Sequence, residues 1–122
     1  MTKKTKKYDL EERTAKFGEN IINLCKNLPE NTISKPLINQ LIKATTSVGA
    51  NYSEADDAES PKDFKHKNGI CKKESRESKH FLRMLAAAVP EKKNSIKLLW
   101  SEVKELNLIF NSIYRKLKWN WY

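Results

Sequence analysis

Few side chains in this sequence could carry out chemistry, and most of those that stand out are cations. The two histidines, His66 and His80, lie fourteen residues apart and have no carboxylate or cysteine partner at ligand spacing, so no metal site is expected. Cys25 and Cys71 share no close spacing and fall in helical patterns, and they read as reduced, buried thiols. The acids Glu54, Asp56, Asp57 and Glu59 cluster, but without the alternating ligands and glycine of a calcium loop. They read as a solvated turn beside a helix start, where negative charge is favourable. No phosphate-cradling glycine loop and no nucleophile elbow occurs. The expectation is a protein that is not an enzyme and uses no cofactor.

The cations are more informative. The chain carries a net charge of +9 over 122 residues, unevenly spread. Residues 1–7 hold four lysines and no acid, residues 8–59 sum to −4, residues 60–85 to +5 and residues 86–122 to +4. On a helical wheel Lys65, Lys72, Arg76, Lys79 and Arg83 fall within a sector of about 60°, with no acid among them. A solvated helix face normally mixes signs to gain i,i+4 pairs. The stripe is therefore either an ordinary lysine-rich surface or a surface for a polyanion. Glu74 and Glu77 lie toward the apolar side of the same helix, where an unpaired carboxylate is expensive. A structural pairing with Lys43, Asn51 or Tyr52 is expected for them. The segment Trp119-Asn120-Trp121-Tyr122 could stack on bases or pack against a helix or a neighbouring subunit.

Four helical patterns must position these groups. The first runs from Leu10 to Leu28, with Asp9 as N-cap, Glu12 in a capping-box position and Pro29 as the stop. The second begins near Ser34 and carries a stripe from Leu37 to Ala55. Its centre, Thr45-Thr46-Ser47-Val48-Gly49, is a poor helix by propensity, so close packing of small residues must hold it. The third starts after Ser60 with Pro61 in its first turn and runs to Val89, before Pro90. The fourth covers Glu91 to Lys118. Short connections make antiparallel neighbours, so the expected fold is an all-α, up-down-up-down four-helix bundle over residues 9–118. A basic tail, residues 1–8, and an aromatic tail, residues 119–122, flank it. No leader signature or bilayer-length apolar run is present, and a cytoplasmic location is expected.

The run from Gln40 to Ala55 (QLIKATTSVGANYSEA) resembles the signature of the four helix bundle protein family. That family includes proteins encoded in intervening sequences of bacterial large-subunit ribosomal RNA genes. Residues 58–67 (AESPKDFKHK) and 73–82 (KESRESKHFL) continue the similarity, which covers about residues 8–118. The resemblance implies an antiparallel four-helix bundle assembled as a homopentameric ring. It is similar, too, to the accessory protein of diversity-generating retroelements, which implies binding of nucleic acid, structured RNA ahead of DNA, through a basic surface. By position, Lys43 and Arg76 match basic positions of the pattern, and Asn51, Glu54, Glu74 and Glu77 match its polar core-side positions. Ile42 and Asp57 stand where the pattern often has a basic residue, which weakens the second helix as a nucleic-acid surface. The alternative implied is a scaffold that presents a partner protein.

Overall fold

The computed structural model describes residues 9–120. The basic tail 1–8 and the side chains of the aromatic segment 119–122 lie outside the described residues. Four helices follow in order: α1 (Leu10–Lys26), α2 (Ser34–Asp56), α3 (Pro61–Ala88) and α4 (Lys93–Asn120).

Each boundary has a local cause. Asp9 caps α1, its Oδ1 accepting from the Glu12 amide at 3.2 Å. The helix stops at Lys26, two residues before the expected end, with Asn27 as C-cap; a residue that precedes proline, as Leu28 does, is disfavoured in the helical region. The cap at the start of α2 is Asn31. Its Oδ1 accepts from the Ile33 and Ser34 amides, both at 2.9 Å, while the Asn31 amide donates to Ser34 Oγ at 3.0 Å. Ser60 caps α3, accepting from the Asp63 amide at 3.0 Å. Pro90 ends that helix and opens a 3-10 turn, Pro90–Lys92, so α4 begins later than the sequence suggests.

Paired contacts set the topology. Glu11 meets Ser53 while Thr14 meets Gly49, so α1 and α2 run antiparallel. Val48 meets Cys71 while Glu54 meets Lys67, which makes α2 and α3 antiparallel. Lys72 meets Asn107 while Gly69 meets Tyr114, and α3 and α4 follow the same rule. Of the neighbouring helices, α1 and α4 touch least. They are joined by Arg13, whose Nε and Nη2 donate to the two oxygens of Glu102 at 2.8 and 3.0 Å and which also pairs with Glu105.

The core is one cluster that draws on all four helices, with Phe17, Ile21, Leu41, Val48, Cys71, Leu82, Val103 and Phe110 buried in it. The small-residue centre of α2 is continuous helix. A Cβ on Gly49 would lie 3.6 Å from the Thr14 carbonyl, so α1 passes close over this stretch and packing compensates for weak propensity. A polar seam that the apolar pattern does not show also lies inside, comprising Asn68, Ser75, Ser78 and Asn107.

Candidate nucleic-acid interface

Four of the five cations of the expected stripe converge on the seam between α3 and α4. The buried face of α3 carries Asn68, Cys71, Ser75, Ser78, Leu82 and Leu85. The basic stripe is one step round from that face, on the flank turned to α4. Lys72, Arg76 and Lys79 line a groove of about 490 Å³ together with Gly69, Lys73, Asn107, Asn111 and Tyr114. No carboxylate is among those lining residues. Lys65 lies beyond one end of the groove, its amine 5.3 Å from the centroid of the Tyr114 ring. The Lys72 amine stands over the same ring at 4.6 Å. Arg83 continues the stripe as an exposed side chain outside the groove lining.

The groove is fixed from beneath by α4. Asn107 is buried, and its Nδ2 donates to the Lys72 carbonyl at 3.0 Å and to Ser75 Oγ at 2.9 Å. Asn111 Nδ2 donates to Asn107 Oδ1 at 3.2 Å, which ties the groove wall to its floor. Gly69 gives the Tyr114 ring its seat, since a Cβ there would stand 3.0 Å from Tyr114 Cε1. Lys73, Asn111, Tyr114 and Gly69 were not among the expected site residues. The signal for them was the i,i+3 pair Asn111 and Tyr114 on α4, which is meaningful only once α3 and α4 are placed side by side.

Other expectations need correction. Lys43 is exposed on α2 and does not line the groove. α2 packs on the other flank of α3, where Glu54 pairs with Lys67 at 2.5 Å. The polar core-side group also divides. Asn51 is half-buried, but its Nδ2 is used within α2, donating to the Ser47 carbonyl at 2.9 Å and to Ser47 Oγ at 3.0 Å. Glu54 and Glu77 are exposed. Glu77 lies about 140° round the helix from Leu82, too far to reach the core. Glu74 is half-buried, and its partner is the adjacent Lys73 at 3.7 Å rather than Lys43, Asn51 or Tyr52.

The acidic turn carries one ion pair, Glu54 with Lys67, and among the described residues no group of three or more His, Cys, Asp or Glu side chains could hold a metal ion. A wider groove of about 1060 Å³ separates α1 from α4, lined in part by Phe17, Leu98, Leu99 and the Arg13–Glu102 pair. No helix among the described residues is long and apolar enough to cross a membrane.

Comparison with known proteins gives the same architecture. The chain is similar to the crystal structure of a protein of unknown function from the S23 ribosomal protein family of Bacteroides thetaiotaomicron VPI-5482. The two share 27% identity and a TM-score of 0.75, over 85% of this chain and 96% of that one. No curated protein matches the chain. The family model described as 23S rRNA-intervening sequence protein matches residues 6–112. With nearly the whole bundle inside that match, the chain belongs to the 23S rRNA-intervening sequence protein family.

Proposed function

We propose that the chain is a non-enzymatic nucleic-acid-binding bundle, acting in the cytoplasm on RNA ahead of DNA, through the basic flank of α3 and its groove with α4. The observation that carries this reading is the groove itself, where Lys72, Lys73, Arg76 and Lys79 share one wall with no carboxylate in the lining. Like charges three and four residues apart on a helix destabilise it by a few tenths of a kcal/mol per pair. That repulsion costs the fold, whereas a bound polyanion neutralises it. The family's tie to 23S ribosomal RNA genes is consistent with RNA as the polyanion. Binding of this kind releases counterions, so affinity falls steeply with salt. A polarisation titration with labelled RNA at about 50 mM salt should show saturable binding that weakens strongly by about 200 mM. Absence of binding at the lower salt would overturn the proposal.

A second reading has its own observation. Leu98 and Leu108 on α4 are 75% and 59% exposed, and Leu98 borders the groove against α1. Leu98 and the half-buried Leu99 give that groove an apolar wall, and such a patch favours a protein contact. That contact would serve a homo-oligomer, such as the pentameric ring the resemblance implies, or a scaffold that presents a partner protein. Light scattering separates an oligomer from a monomer, and a nuclease-resistant stoichiometric partner would favour the scaffold.

A further inference from the structure

The cations along α3 form a straight ladder whose step changes once. From Lys72 through Arg76 and Lys79 to Arg83 the steps correspond to roughly 4.5–6 Å of helix rise. From Lys65 to Lys72 the step is roughly 10.5 Å. Tyr114 occupies that wide step, with the Lys65 and Lys72 amines 5.3 and 4.6 Å from its ring centroid. A nucleotide contributes six backbone bonds, as two peptide residues do, and so spans at most about 7 Å when extended. An extended strand can therefore set one phosphate against each cation from Lys72 to Arg83. At the wide step it meets an aromatic ring in place of a cation.

A duplex fits this geometry poorly. Its strands wind about an axis, so each leaves a straight row of charges within a few nucleotides, and its base faces are already stacked on one another. We infer that the nucleic acid held along this flank is an unpaired strand, with one base stacked on Tyr114. The inference rests on the nucleic-acid reading above and specifies its ligand as a single-stranded segment, such as a loop within a folded RNA. As the strand enters, the Lys65 and Lys72 amines leave the ring for phosphates and give its face to a base. Stacking on an aromatic platform beside cations tolerates any base, so the contact carries little sequence preference. Gly69 supports the same conclusion. A glycine in mid-helix weakens the helix, and here it makes room for the ring, 3.0 Å from where a Cβ would be.

The test compares a labelled oligouridylate of about 12 nucleotides with a blunt RNA duplex of similar length. The single strand should bind about ten-fold more tightly, and Tyr114→Leu should weaken it about ten-fold while leaving the duplex unchanged. Gly69→Ala favours the helix and displaces the ring without removing it, so it should lower single-strand affinity in the same direction even if Tyr114→Leu fails to fold. Equal or tighter binding of the duplex would overturn the inference and leave the nucleic-acid reading standing. Binding of neither probe would overturn that reading and the inference with it. Unchanged single-strand affinity in folded Tyr114→Leu and Gly69→Ala would overturn the stacking contact.

Discussion

Asn107 donates from Nδ2 to the Lys72 carbonyl at 3.0 Å, so a buried amide on α4 is bonded to the residue whose amine lies over Tyr114. Structure and site are coupled there. The same amide reaches Ser75 Oγ at 2.9 Å and accepts from Asn111.

Asn107→Ala removes those bonds and leaves buried polar atoms with fewer partners. The expected loss of stability is about 2 kcal/mol, read as a lower urea midpoint with unchanged slope. Nucleic-acid affinity should fall as well, because the groove wall at Asn111 loses its anchor. A variant with wild-type stability would show that the seam contributes nothing to holding α3 on α4.

Arg13 is the main polar tie between α1 and α4. Its guanidinium grips Glu102 through two bonds of 2.8 and 3.0 Å, and both side chains are partly exposed. Solvent screening limits the gain, so Arg13→Ala should cost about 1 kcal/mol in denaturant unfolding. Hydrogen exchange should rise first in α1, the helix least packed against the rest of the bundle.

The cysteines give a pH prediction. Burial pushes the Cys25 thiol up to about 11 and the Cys71 thiol up to about 12. Their ordinary value is near 9.0, so above that pH the unfolded chain releases protons that the folded chain retains. Stability should therefore fall as pH rises from about 9 towards 11 to 12. Urea midpoints at about pH 8 and pH 10 check this, and the drop should be smaller in Cys71→Ala. Thiol reagent should label neither cysteine in the native protein at about pH 8.

The helices were legible because their signals are local. Asp9, Ser60, Pro29 and Pro90 mark ends by backbone chemistry that acts within one turn. The Asn31–Ser34 cap was missed, although its reciprocal bonds use residue types that favour caps. The stripe was legible as a face of α3, since angular position depends only on spacing. Its partners were not. Tyr114 and Asn111 reach the stripe through the register of α3 on α4, which is set by Asn107 and Gly69 across more than thirty residues of sequence. Lys43 lies outside the groove lining for the same reason, because a sequence does not show which helix flanks meet. Glu54 and Glu77 show the limit of assigning carboxylates to a core from their nearness to an apolar stripe.

The most direct test of the basic flank as a nucleic-acid surface is a salt series of RNA binding for the wild-type chain and for the triple variant Lys72→Glu, Arg76→Glu and Lys79→Glu. Circular dichroism should show the variant's helicity unchanged, since all three side chains stand outside the buried core. The account predicts saturable wild-type binding with a steep salt slope, and no measurable binding by the folded variant at about 50 mM salt. Wild-type affinity and slope retained in the folded variant would contradict it.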